Sequence, residues 1–212
     1  TTHQETYLTR LKNLDLTKTE IRAIGFPLSL PLIEREICIA GGSVQAAHYA
    51  KEFGIGMNIA GGTHHAFYAR GEGFCLLNDL AITANQLLES GEAKKVLIVD
   101  LDVHQGNGTA ALFQDSPSVI TFSMHGEKNY PHRKEKSHLD IGLPDGTGDT
   151  LYLNLLERHL NDLLAQELPD FMLYQSGVDV LATDQLGRLS LSHAGVYARD
   201  KLVLSLAKSL GV

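Results

Sequence analysis

The run Asp100-Leu101-Asp102-Val103-His104 places ionisable side chains at alternate positions at the end of a strongly apolar stretch, Val96–Val103. Alternate residues of a β-strand point the same way, so Asp100, Asp102 and His104 are expected on one face and Leu101 and Val103 on the other. Such groups are costly to bury unless they are paired or bind a metal. Two carboxylates and one imidazole suit zinc or ferrous iron and leave a coordination position open for water. A further ligand is expected from another strand end, and Asp179 in SGVDVLATD is the candidate. Asp184, deeper in the same loop, reads as a loop-stabilising group.

Upstream lies Gly61-Gly62-Thr63-His64-His65. Adjacent histidines on a regular strand would face opposite ways, whereas a glycine-bracketed loop can turn both toward one site. Two proton carriers that titrate near neutrality, beside an acidified water, are what amide hydrolysis requires. One takes the proton of the water and the other protonates the leaving amine. Phe74 in GEGFCLLND and Tyr130 in HGEKNYPHR stand in loops where they could wall a narrow apolar channel, and composition equally allows ordinary packing aromatics. His3, His48, His132, His138, His159 and His193 read as surface or helix residues without a role, and HRKEKSH (132–138) as a solvated loop.

These groups need a scaffold that brings them to one rim. Apolar spacing predicts a helix over 30–53, weakened or split at Gly41-Gly42, a helix over about 79–90 capped by Asn78, and helices over 149–167 and 193–210. Strands are expected at 55–60, 96–103, 118–124 and 171–177. Strands alternating with helices imply βαβ units and a parallel sheet covered on both faces, hence an α/β chain in three αβα layers. Every polar cluster follows an expected strand, where open α/β sheets collect ligand-binding groups.

Composition bounds the alternatives. A chain of 212 residues with 43% hydrophobic and 20% charged residues suits one soluble globular domain over 1–212. A net charge of −7 argues against nucleic acid as a partner, which would want a basic face. Cys38 and Cys75 form no CxxC pair and read as free, reduced, buried thiols, which points to the cytoplasm. No apolar run approaches the roughly 18–20 residues needed to span a bilayer. The N-terminus shows neither a signal-peptide pattern nor an initiator Met.

The ordered set GGTHHAF, GEGFCLLNDLAITA, VDLDVHQGNGTA, TFSMH and YQSGVDVLATDQLGRLSLS resembles the histone deacetylase superfamily, closest to its class IV branch. The resemblance implies the arginase–deacetylase fold and a zinc-dependent hydrolase of N-acyl-lysine or a related acyl-amine. It matches Asp102, His104 and Asp179 to the ligands of one zinc per chain. His64 and His65 match tandem catalytic histidines, backed by Asp100 and Asn107 respectively. An Asp partner favours the charged form of His64, and a neutral Asn partner leaves His65 free to accept a proton near pH 7. Phe74, Tyr130 and Gly177 match an acyl-lysine tunnel. Asp100, Ser123 and the carbonyl of Met124, with carbonyls near Asp102 and His104, match a potassium site. The family's oxyanion-stabilising tyrosine stands in a GGGY-like loop after a later strand, and an earlier strand with its rim loop precedes the matched region. The chain is therefore expected to carry the middle of the family fold, incomplete at both ends. None of Tyr68, Tyr152, Tyr174 and Tyr197 stands in such a loop. These residues alone are expected to hydrolyse acyl-lysine at least about a hundredfold more slowly than an extended chain.

Two other readings stay open. A binuclear manganese ureohydrolase of the same fold would need carboxylates bridging a second metal, and DVLATD spaces Asp179 and Asp184 with apolar residues between. A remnant that binds acyl-lysine without turnover is the other. Acyl-chain length, the physiological substrate and the oligomeric state are not encoded in any motif.

Overall fold

A computed structural model describes residues 1–212. Its contacts divide the chain into two compact units, Thr1–Glu92 with Asn107–Leu112, and Ala93–Gly106 with Phe113–Val212.

The first unit is helical: α1 (Glu5–Lys12), α2 (Lys18–Ile24), α3 (Leu30–Phe53), α4 (Asp79–Glu89) and most of α5 (Asn107–Phe113). Thr17 and Glu20 form a reciprocal capping box that starts α2, and Gly25 in the left-handed region ends it. The buried cluster Tyr7, Leu11, Leu16, Ile24, Ile33, Leu76 and Leu77 packs α1 to α3 against the loop before α4. Helix α3 runs unbroken through Gly41-Gly42. Asn78 caps α4 by accepting from the Ala81 amide, as the sequence predicts.

Residues 55–60 differ from expectation. They form no strand, and their alternation turns Met57 (78% exposed) and Ile59 (97% exposed) to solvent. Asn58 ties the segment to α3 through the carbonyl of Ile39 and the hydroxyl of Ser43, so helix contacts replace a sheet ladder. The loop after it is held by a carboxylate instead. Asp79, itself buried, accepts from the amides of Gly62 and Thr63 and from the hydroxyls of Thr63 and Ser43.

The second unit holds a sheet of β1 (Val96–Asp100), β2 (Val119–Gly126), β3 (Leu139–Leu143) and β4 (Phe171–Gln175), with α6 (Asp149–Glu167) and α7 (His193–Leu210). The order is β3-β2-β1-β4 and every pairing is parallel, so the chain has the α/β class expected of it. Leu97, Val99, Leu101, Ile120, Phe122 and Met124 pack with Tyr152, Leu156, Leu160 and Val203 of α6 and α7. The residues between them, Ile98, Asp100, Thr121 and Ser123, are also buried, which accounts for near-continuous apolar runs in β1 and β2. From β1 the chain moves outward to β2 and β3, then returns to place β4 on the other side of β1. The order therefore reverses between β1 and β4, and open α/β sheets bind ligands beyond the strand ends at such a switch point.

Candidate functional site

The carboxyl ends of β1 and β4 bring Asp102, His104 and Asp179 together. One potential ligand atom from each lies within 4.8 Å of the others, the one such cluster found in the chain. The nitrogen His104 Nδ1 stands 3.0 Å from Asp102 Oδ1 and 3.0 Å from Asp179 Oδ2. The other oxygen of Asp179 accepts from the Val103 amide at 2.9 Å, tying the β4 loop to the β1 loop. All three side chains are half-buried.

The route to this cluster differs from strand alternation. β1 ends at Asp100, and the next residues fold into turns in which Asp100 accepts from the Asp102 amide and Asp102 from the His104 amide. Short Asp side chains bond to backbone two residues on, which bends the chain where a strand would have continued. Gly177 makes the close approach possible. A Cβ there would sit 2.5 Å from Asp102 Cα and 2.6 Å from Asp102 Oδ2. Asp184 is engaged in its own loop, accepting from the amides of Leu186 and Gly187.

The charges within the cluster are mutually dependent. Burial works against a charged His104, but hydrogen bonds and attraction from Asp102 and Asp179 outweigh it and raise the imidazole to about 9. Burial, then the neighbouring Asp102 charge, pushes the Asp179 carboxyl up despite its bond to His104. Two carboxylates gathered on one imidazole need a positive charge among them, and a divalent cation supplies it while taking the place of the proton. The Asp/His/Asp donors fit a catalytic zinc or ferrous site with an open position.

In the first unit His64 and His65 are buried with ring centroids 4.1 Å apart. Gly73, with φ of +55°, leaves room for the His65 ring, since a Cβ there would meet His65 Cδ2 at 2.8 Å. The start of α5 closes on the pair: the Thr109 amide donates to the carbonyl of His64, and the side-chain Oδ1 of Asn107 lies 2.7 Å from His65 Nδ1. Asn107 Nδ2 donates to Glu72 Oε1 at 3.0 Å.

The tunnel candidates are placed differently from one another. Phe74 is exposed, packs on Phe26 at 5.0 Å between centroids, and holds φ of +68°, a strained backbone for an aromatic residue. Tyr130 stands edge-on to His104 at 6.5 Å. Gly177 packs on Asp102. Of the potassium candidates, Asp100 and Ser123 are register partners on β1 and β2, both buried, and Met124 sends its side chain into the apolar core.

Several residues stand differently from the sequence reading. His3 is buried: Nε2 accepts from the Asn78 amide, so Nδ1 donates to the Phe67 carbonyl, and burial lowers its pKa. Cys38 is exposed, and Cys75 buried. Residues 132–138 form a largely exposed loop, as expected, that is also anchored, because buried Gln105 exchanges hydrogen bonds with the backbone of Glu135 and donates to Asp140. Glu72, Asp79 and Gln105 lie within quoted motifs and Arg199 outside them, and all four carry site-building contacts for which the sequence reading assigned no role. No helix is long and apolar enough to cross a membrane.

Geometry and fold define a parallel α/β protein with a carboxylate–imidazole cluster at its switch point. The family model described as the histone deacetylase domain matches residues 1–212, and the chain belongs to that family, on the arginase–deacetylase α/β fold. It is 48% identical over 209 residues to an uncharacterized protein of Picosynechococcus sp., covering 99% of this chain and 70% of that one. It is 30% identical to histone deacetylase 2 of Arabidopsis thaliana, over 99% of this chain and 57% of the relative. Histone deacetylase 9 of the same plant is 32% identical, over 87% of this chain and 47% of the relative. The chain thus spans about half the length of these two plant relatives.

Proposed function

We propose that this chain carries the metal-dependent amide-hydrolysing machinery of a deacetylase acting on N-acyl-lysine or a related acyl-amine. The observation that carries the reading is the Asp102–His104–Asp179 cluster at the switch point of a sheet whose chain matches the deacetylase domain throughout. A single zinc or ferrous ion held by these ligands would supply carbonyl polarisation and acidify a water near pH 7. Asp184 stands outside the ligand cluster, with its Oδ1 bound within its own loop, which favours this reading over a binuclear ureohydrolase.

The protein's own groups then move protons. Nε2 of His65 accepts the proton of the attacking water and later returns it to the departing amine. His64 acts electrostatically, with Asp100 as the acidic residue that favours its charged form. Phe74, Tyr130 and Gly177 are assigned to the acyl-lysine path, and Asp100, Ser123 and the Met124 carbonyl to a structural potassium ion. The two compact units are read as one catalytic domain, supported by the unbroken family match over 1–212. The free Cys38 and Cys75 fit a cytoplasmic location, and the net charge of −7 argues against a nucleic-acid partner.

Metal analysis and peptide hydrolysis test the reading together. The purified full chain should hold about one zinc or iron and release acetate from an acetyl-lysine peptide. Asp179→Ala and Asp102→Ala should lose both metal and activity. Full metal content in the double variant would overturn it.

A further inference from the structure

The guanidinium of Arg199, on α7, is fully buried (0% exposed) and spread across the two strand ends that carry the candidate ligands. Nη1 donates to the carbonyl of Leu101 at 3.2 Å, the residue before Asp102, and to the carbonyl of Gly177 at 2.6 Å, in the turn leading to Asp179. Nη2 donates to Ser176 Oγ at 2.9 Å and Nε to Asp200 Oδ1 at 2.8 Å. Asp200 also accepts from the hydroxyls of Tyr174 and Ser176, so the anchor is itself fixed to β4.

A fully buried cation is an expensive way to fill core space, and an apolar side chain of similar volume is often neutral or stabilising in its place. What the guanidinium adds is direction. Its planar fork holds several acceptors at fixed angles, which a lysine ammonium cannot reproduce. Here the acceptors are the backbones on either side of the switch point, and Gly177, one of them, is the residue in van der Waals contact with Asp102. We propose that Arg199 is a positioning residue for the metal centre, a clamp that sets the separation of the β1 and β4 ends so that Asp102 and Asp179 converge on His104. The inference rests on the metal reading above and assigns Arg199 no contact with substrate.

Zinc affinity of the full chain, measured by chelator competition, tests it alongside the Tm of the metal-free protein. Outer contacts of metal sites typically contribute 10–100-fold in affinity, and Arg199→Met should weaken zinc binding by about that factor. Arg199→Lys keeps the buried charge but not the fork, and should weaken binding by about tenfold, with the metal-free Tm lowered by the acceptors it leaves unpaired. If Arg199→Met fails to fold, Arg199→Lys decides the matter. Unchanged zinc affinity in Arg199→Lys, with or without a lower Tm, would show that the residue merely packs, and would overturn the clamp. Asp179→Ala serves as the reference: if it too retains zinc, the metal reading itself has failed, and the clamp with it.

Discussion

Asn107 presents its amide oxygen to His65 Nδ1 at 2.7 Å while its NH2 group donates to Glu72 at 3.0 Å. The carboxylate fixes the orientation, because the flipped amide would set oxygen against oxygen at Glu72. With Oδ1 as acceptor, Nδ1 of His65 carries the hydrogen and Nε2 carries the lone pair. The tautomer required of a general base is therefore set by a neutral partner. The carboxylate of Glu72 lies behind it, where it steers the Asn107 amide.

His65→Ala is accordingly expected to lose more activity than His64→Ala, on the order of 10²–10⁴-fold for a general base. Metal content should survive both substitutions, since neither histidine belongs to the Asp102–His104–Asp179 cluster. Steady-state kinetics on an acetyl-lysine peptide, with metal analysis of each variant, checks this. A larger loss in His64→Ala would reverse the division of labour.

Glu72→Ala should lower kcat by about tenfold with KM little changed. A hydrogen bond to a charged group is worth about 1.5–3 kcal/mol, and without it the Asn107 amide can turn its NH2 toward His65. Glu72→Gln retains an acceptor and should recover most of the loss. Nitrogen NMR of His65 adds a readout of tautomer: the Nδ1–H form should dominate in wild type and Glu72→Gln, and be mixed in Glu72→Ala.

A surface pair gives a pH-dependent test of the first unit. Arg10, followed by Thr17, holds the Glu20 carboxyl down to about 2 from 4.5. A depressed acid contributes stability above its unfolded pKa and loses it as pH falls through the folded value. The small Tm advantage of wild type over Glu20→Gln should thus be full at neutral pH, shrink between about 4.5 and 2, and diminish with salt. The substituted glutamine can still complete the capping box of α2, so this comparison isolates the charge. A constant Tm difference down to pH 2 would remove the ion pair from the explanation.

The long periodic elements and the ligand set are legible in the sequence, and the departures have physical reasons. α3, α4, α6 and α7 announce themselves by apolar spacing and caps, and β1 and β2 by β-branched runs. Residues 55–60 have strand composition, but a short apolar run cannot say whether a neighbouring strand pairs with it. β3 is hidden because its apolar residues Leu139, Ile141 and Leu143 follow a charged loop. Asp102 and His104 are neighbours as expected but for a different reason, since turn bonds and not strand alternation join them. Arg199 reads as any charged residue on an amphipathic helix, and only tertiary contacts reveal it as buried. His3 reaches its partners across long sequence separations that no local pattern reports.

Gly177 offers a test of how closely the two ligand loops must approach. Its φ lies outside the left-handed region, so the constraint is contact and not backbone strain. A methyl group at that position would meet Asp102 Cα at 2.5 Å and its carboxylate at 2.6 Å, so the β4 loop must move away from β1. That movement opposes the Arg199 bond to the Gly177 carbonyl and the Val103 bond to Asp179. Overpacking of this kind typically costs about 1–3 kcal/mol, which for a chain of this length is several degrees in Tm. Gly177→Ala should therefore lower the metal-free Tm by several degrees and weaken zinc by at least about tenfold, as expected when ligand geometry is disturbed. Calorimetry and chelator competition on the same preparation read both effects. If Gly177→Ala keeps wild-type zinc affinity, the ligand loops tolerate displacement, and the close packing of Gly177 on Asp102 serves folding and not the metal centre.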